Sequence, residues 1–245
     1  MRSDKENAML ILSMRMKEEL SDPGFTKSDK AIYSKMLGEI NAALGTAFTT
    51  HAELASLKIP GAGEIVKKYI REFKEESIRM ELLHLLVSDR VQNCDHLILD
   101  LYDRYLANTD GMIEGTFYDN AFHALKPRRI ASELVGLMRS PENVYYLPFT
   151  VQMLSSWRVP GLKELLLTYT EKQNLTERLA GKCAGNETFV CREILLTVIN
   201  CLRYYNEEGI VDLLTSYTGN DDRDVCACAG RSLAYIEKRR HQKAK

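Results

Sequence analysis

The amino-acid sequence predicts an all-α protein. Apolar residues recur at the spacing of three and four that places them on one face of a helix, and the alternation typical of β-strands is nearly absent. The 6 prolines and 14 glycines lie mostly between these periodic segments, where they end one helix and start the next. Several stretches also resemble one another, which indicates a repeated structural unit.

The first helix of this unit is recognisable at three places. Residues 59–69 (IPGAGEIVKKY) and 159–169 (VPGLKELLLTY) share a Pro-Gly start, an acidic residue, two apolar residues and a closing Tyr at the same spacing. Residues 209–217 (GIVDLLTSY) repeat the pattern without the proline. Because Pro and Gly favour helix boundaries, each stretch predicts a short helix whose apolar pair and Tyr share a face.

A second helix follows each of these first helices. Apolar or small residues recur along it at the spacing that one buried helix face requires. The three second helices are predicted at 78–86, 190–201 and 224–236, and a further pair at 130–138 and 144–157.

The last second helix carries a family resemblance. Residues 221–236 (DDRDVCACAGRSLAYI) place an Asp before a Val, then small residues, then Leu and Ile. This run resembles the second helix of a HEAT-like repeat, in which small residues let neighbouring helices approach closely. The resemblance implies an armadillo-type fold, an α-α superhelix in which antiparallel helix pairs form a short right-handed solenoid.

The chain is expected to form a single solenoid domain over residues 1–245. Residues 1–56 are interpreted as a degenerate helical cap, which solenoids commonly need. Residues 57–237 would hold the repeat pairs, with an insertion near 107–126, and residues 238–245 a basic tail. The insertion has two interpretations, a long loop with a short aromatic-anchored helix or a loop that contacts a ligand.

Composition favours a soluble cytoplasmic protein. The net charge of −1 argues against a polyanion-binding protein as a whole, although a local basic patch is compatible with it. The first residues lack the features of a signal peptide, and no stretch has the apolar length of a membrane span. None of the 6 cysteines forms a C-x-x-C pair, so they are predicted to be reduced thiols that fill core positions.

No motif predicts catalysis, a metal or a cofactor. Glu81 and His84 have the spacing of a helical metal-ligand pair, but no second such pair exists, so a polar pair on a helix surface is favoured. Nucleophile motifs of the G-x-S-x-G type and phosphate-binding glycine loops are absent. Cys191 and Cys226 occupy equivalent repeat positions, which favours a structural role over a reactive thiol.

Two features of the second helices are candidate binding elements. The first is a basic stripe at helical spacing with tyrosines beside it, which suits a phosphate backbone or an acidic protein face. The competing interpretation is that these cations balance helix dipoles near helix ends. The stripe comprises Arg192, Arg203, Arg231 and Lys238, with Tyr204 and Tyr235 beside it.

The second candidate element is an uncharged aromatic stripe on residues 144–157. If this stripe is exposed it is an interaction patch, because Trp and Tyr are common in protein interfaces, and if it is buried it is part of the core. Tyr146 is expected to be exposed and Trp157 to lie in the core. Pro148 should kink this helix or mark its first turn.

The favoured function is a non-enzymatic scaffold that binds a protein partner through its second-helix face. One version is an immunity or antitoxin-type inhibitor, since small HEAT-like proteins are used in that way. The alternative is a DNA-binding or DNA-repair protein similar to the HEAT-like alkyl-purine glycosylases, although the aromatic and Asp constellation of that family is not matched here. A third class, similar to the HEAT-like phycobilin lyases, has no specific residue in its support.

Overall fold

The regular secondary structure of the described residues is entirely helical. The computed structural model describes residues 26–47, 61–108, 115–182 and 185–243. Within these ranges it contains thirteen α-helices, one 3₁₀-helix and no β-strand, which confirms the all-α prediction. The first 25 residues of the predicted cap lie outside the described residues.

The chain divides into two compact units between Leu125 and Lys126. In the first unit, α1 packs on α2, α2 on α3, and α5 on both α3 and α4. That the repeats of the whole chain form one domain stays a prediction. The helices of the first unit are α1 (Lys27–Leu44), α2 (Ala62–Tyr69), α3 (Glu76–Ser88), α4 (Asp95–Asn108) and α5 (Gly115–Leu125).

The second unit is organised around one long helix, α11. It packs against α7, α8, α10 and α13, and α13 packs in turn against α12. After a 3₁₀-helix at Arg128–Ile130, the helices are α6 (Ala131–Leu137), α7 (Pro141–Tyr146), α8 (Pro148–Trp157), α9 (Leu162–Thr168), α10 (Lys172–Leu179), α11 (Glu187–Leu202), α12 (Glu208–Tyr217) and α13 (Arg223–Lys243).

Two of the three predicted helix starts have the same backbone conformation. Gly61 and Gly161 precede α2 and α9 with φ of 98° and 81°, a left-handed conformation that glycine adopts without strain. The third start differs, because α12 begins one residue before Gly209 and has an extended residue, Glu207, at its N-cap. The predicted basic tail also differs, since α13 continues as helix through Lys243.

The predicted insertion contains a buried aromatic helix. Tyr118 and Phe122 of α5 are fully buried, and their ring centroids lie 5.3 and 6.0 Å from that of Tyr102 in α4. This agrees with the interpretation of residues 107–126 as a short aromatic-anchored helix. Residues 109–114 lie outside the described part of the chain.

The tyrosine that closes each of the three recurring stretches donates a hydrogen bond to a group in or just after an earlier helix. The Tyr169 hydroxyl donates to the carbonyl of Met138 at the end of α6, at 2.7 Å. The Tyr217 hydroxyl donates to the carbonyl of Thr170 after α9, at 2.9 Å. In the first unit, the Tyr69 hydroxyl donates to the Glu39 carboxylate in α1 at 2.6 Å. The repeated Tyr therefore joins successive first helices, a role that the sequence pattern alone does not reveal.

Replacing Tyr169 with phenylalanine should destabilise the protein by about 1–2 kcal/mol, because the buried Met138 carbonyl loses its donor. Urea unfolding followed by circular dichroism would measure this. Tyr145→Phe is the matched control, since the Tyr145 hydroxyl makes no hydrogen bond in the described part of the chain. Equal stability of the two variants would show that the bond to Met138 contributes nothing.

The described cysteines behave largely as predicted. Cys94, Cys191, Cys201 and Cys228 are buried, and Cys226 is half-buried. None of these five forms a disulfide. Cys183 lies outside the described residues.

Candidate functional site

A row of three helices forms one face of the second unit. α11 packs between α8 and α13, and these three are the second helices of successive predicted pairs. A groove of about 420 Å³ runs across them. Phe149 and Leu196 line it together with polar side chains, and Glu193, Asp224 and Arg231 supply charges.

Exposed aromatic rings lie beside this groove. Phe149 and Phe189 keep 51% and 52% of their surface exposed. The Tyr145 ring lies 6.4 Å from Phe189 and 5.4 Å from Tyr146, measured between ring centroids. We call these four residues, Tyr145, Tyr146, Phe149 and Phe189, the aromatic patch. Two of the four, Phe149 and Phe189, are exposed, and exposed apolar side chains are typical of interaction surfaces.

The aromatic patch differs from the predicted stripe because the predicted helix is broken. The backbone at Leu147 leaves the helical conformation (φ −119°, ψ 48°), and Pro148 occupies the first turn of a new helix, α8. Tyr146 is half-buried rather than exposed. Trp157 is half-buried and lies under the guanidinium of Arg128, 4.9 Å from it, rather than in the core.

Arg192, the first member of the predicted basic stripe, is surrounded by carboxylates. It bonds to Asp222 at 2.6 Å, to Glu193 at 2.7 Å and to Asp224. Hydrogen bonding to Arg192 lowers the pKa of Asp222. Three negative charges around one positive charge make this end of the row acidic, so Arg192 adds no basic character to the face.

The other end of the row carries an arginine–tyrosine cluster. The rings of Tyr204 and Tyr235 pack edge to face at 5.6 Å. The Arg203 guanidinium lies 5.0 and 5.1 Å from these two rings, and that of Arg239 lies 5.8 Å from Tyr235. Arg231 and Lys238 are exposed on α13. The sequence therefore identified neighbours correctly in Arg203, Tyr204 and Tyr235.

Two further arginines donate to carbonyls that follow α11. Arg158 donates through Nε and Nη2 to the carbonyl of Tyr204, at 3.0 and 2.7 Å. Arg240 donates to the carbonyl of Asn206 at 2.8 Å. These bonds agree with the interpretation that cations near helix ends balance the helix dipole. Arg158 was not predicted as a site residue, since nothing near it in sequence points to α11.

The arginines line a common cleft. Its volume is about 290 Å³, and its walls include Arg158, Arg203, Arg239 and Arg240 together with Tyr204 and Asn206. None of the described carboxylates lines it. We call it the arginine cleft. At neutral pH all four guanidinium groups are charged, which makes the cleft strongly cationic.

The described side chains offer little chemistry for catalysis. Burial raises the pKa of the Cys201 thiol to about 12 and also raises the pKa values of the Cys94 and Cys228 thiols, which disfavours the nucleophilic thiolate. Glu81 and His84 lie on the exposed surface of α3. Within the described ranges, no group of three or more His, Cys, Asp or Glu side chains is arranged to hold a metal.

The chain matches no protein-family model, no curated protein and no solved structure. In the part of the chain that the structure describes, none of the helices combines the length and apolar character that a membrane span requires.

Proposed function

We propose that this protein is a non-enzymatic, HEAT-like solenoid scaffold that binds a protein partner through the face formed by α8, α11 and α13. The aromatic patch is the observation that carries this proposal. Two phenylalanines that are half exposed beside a groove lose surface to water when a partner covers them, and each such ring contributes about 1 kcal/mol or more to binding.

The solenoid arrangement is supported by the order of packing in the second unit. The second helices lie side by side in chain order, and the repeated Tyr residues join successive first helices. A stack of this kind presents a preformed surface, so a partner binds without the cost of ordering a loop.

The groove favours a partner segment of mixed character. Phe149 and Leu196 in its lining suit an apolar side chain of the partner, while Glu193, Asp224 and Arg231 on the α11 and α13 sides suit charged groups that flank it. An inhibitor of the immunity or antitoxin type is one version of such a scaffold. We place the protein in the cytoplasm. The five described cysteines form no disulfide, which supports this location.

A duplex DNA-binding wall has weaker support. It needs uncompensated cations along both α11 and α13, whereas Arg192 is paired with three carboxylates at one end of the row. The remaining positive charge is concentrated in the arginine cleft.

The test compares partner capture by two matched variants. In the first, Phe149→Ser and Phe189→Ser remove both exposed rings of the aromatic patch. The control is Phe117→Ser, which removes a ring that is 48% exposed in the first unit. Tagged proteins are incubated with lysate of the native host after nuclease treatment, and bound proteins are quantified by mass spectrometry.

We expect the wild type and the Phe117→Ser control to retain one stoichiometric partner and the double variant to lose it by about tenfold or more. Thermal melting of each variant checks that folding is unchanged. Equal capture by all three proteins, or a partner that disappears with nuclease treatment, would overturn the proposal.

A further inference from the structure

The four arginines of the cleft differ from three cations of the second unit that pair with carboxylates. Arg192, Lys163 and Lys182 each lie within 4.0 Å of at least one carboxylate. Arg158, Arg203, Arg239 and Arg240 have no such carboxylate partner among the described residues, although they line one cleft. Like charges held close together repel, and a bound anion would relieve that repulsion.

Hydrogen bonds to carbonyls at a helix end account for only two of the four arginines. Arg158 and Arg240 donate to the carbonyls that follow α11. Arg203 instead bonds to the Tyr204 hydroxyl at 3.0 Å, and its buried Nε has no hydrogen-bond partner in the described part of the chain. Arg239 contacts the Tyr235 ring and no carbonyl. Arg203 and Arg239 therefore contact tyrosine rings, and neither has a carboxylate partner among the described residues.

We propose that the arginine cleft binds the phosphate group of a nucleotide, either free or within a single strand of nucleic acid. A carboxylate brings one negative charge, whereas a phosphate monoester brings about two and three acceptor oxygens, which suits several guanidinium groups better. The planar guanidinium also matches phosphate oxygens in pairs.

The neighbouring surface favours a nucleotide over a bare phosphate. A second groove of about 450 Å³ shares Tyr204 and Arg239 with the cleft and adds Ser156, Tyr235, Lys238 and Gln242. Tyrosine rings next to cations form the kind of surface on which proteins stack bases while they hold the backbone. The polar groups of Ser156 and Gln242 can bond to base edges.

The test uses probes that separate the phosphate from the base. Calorimetry measures the binding of AMP, adenosine and inorganic pyrophosphate to the full-length protein at low salt. Fluorescence anisotropy measures a labelled oligothymidylate, with a poly-glutamate peptide as a competing polyanion. The variants are Arg239→Gln and the pair Arg203→Gln with Arg239→Gln. Arg223→Gln is the control, since it removes the same charge at the exposed start of α13.

We expect AMP, pyrophosphate and oligothymidylate to bind and adenosine to fail. The double variant should weaken binding by about tenfold or more, the single variant by less, and the control should match the wild type. Oligothymidylate binding much tighter than AMP would identify a strand as the source of the phosphate, and equal affinities would identify a free nucleotide.

Three results would overturn the proposal. They are no binding of any phosphate probe by the folded wild type, an equal loss in the Arg223→Gln control, or displacement by poly-glutamate at the same affinity as oligothymidylate. Displacement by poly-glutamate would indicate that the cleft binds an acidic protein segment. Because the aromatic patch shares no residue with the cleft, Phe149→Ser with Phe189→Ser should leave nucleotide binding unchanged, so failure here is distinguishable from failure of the scaffold proposal.

Discussion

Replacing Arg79 with methionine should destabilise the protein by about 3–5 kcal/mol, because it leaves a partly buried carboxylate without its counter-charge. Only 3% of the Arg79 side chain and 16% of the Glu76 side chain are exposed. Arg79 bonds to Glu76 through Nε at 3.0 Å and through Nη2. Its Nη1 also donates to the carbonyls of Phe73 and Lys74, at 2.7 and 2.8 Å.

The network reaches a second helix through Glu76. The Tyr118 hydroxyl in α5 donates to Glu76 Oε1 at 2.5 Å, and burial together with this carboxylate raises the pKa of Tyr118 far above its ordinary value. Loss of Arg79 therefore affects the loop before α3 and the contact between α3 and α5 together.

Urea unfolding followed by circular dichroism would measure the loss. The control is Arg71→Met, which breaks an exposed ion pair with Asp100 and should cost no more than about 1 kcal/mol. Adding Glu76→Gln to Arg79→Met should recover part of the loss, since it removes the unpaired charge. A similar small cost for Arg79→Met and Arg71→Met would show that the buried network contributes little.

Arg79 illustrates which features of the fold the sequence could not predict. Helical spacing placed the apolar residues of α3 correctly, because periodicity depends only on neighbours along the chain. Glu76, the partner of Arg79, also accepts a hydrogen bond from Tyr118, which lies 42 positions after Glu76 in the chain. A charged residue inside an apolar helix pattern gives no signal of such a distant partner.

The sequence likewise predicted only part of the candidate site. Helical spacing placed Arg203 in a stripe on the second helices with Tyr204 and Tyr235 beside it, and these three side chains lie together in the structure. Arg158 also lies in this cluster, because it donates to the carbonyl of Tyr204. No local sequence pattern predicts the position of the loop that carries Arg158. The aromatic patch was missed because the break at Leu147 changed which residues share a face.

The second large effect on stability concerns the predicted close approach of the second helices. Ala229 in α13 is fully buried. On either side of it, side chains of α13 bond to the backbone of α11: Ser232 to the Ile199 carbonyl at 3.1 Å and Cys228 to the Leu196 carbonyl at 3.6 Å. A side chain that reaches the main chain of its neighbour leaves no room for a larger group beside it.

Ala229→Leu should therefore destabilise the protein by about 3 kcal/mol, since the added atoms force α13 away from α11 and lengthen these bonds. The adjacent Gly230→Ala is the matched control. Gly230 is exposed, and a Cβ there would meet nothing within 4 Å. That change should stabilise the protein by about 0.5–1 kcal/mol, because alanine restricts the unfolded chain and favours helix.

Changes in stability of opposite sign at two successive residues distinguish the effect of packing from that of helix propensity. Gly230→Ala raises helix propensity and Ala229→Leu lowers it only slightly, so a loss of about 3 kcal/mol in Ala229→Leu would come from packing between α13 and its neighbours. Urea midpoints measured for both variants under one set of conditions decide the question. A neutral or stabilising Ala229→Leu would mean that the second helices do not approach closely, which would remove the packing basis for a HEAT-like stack.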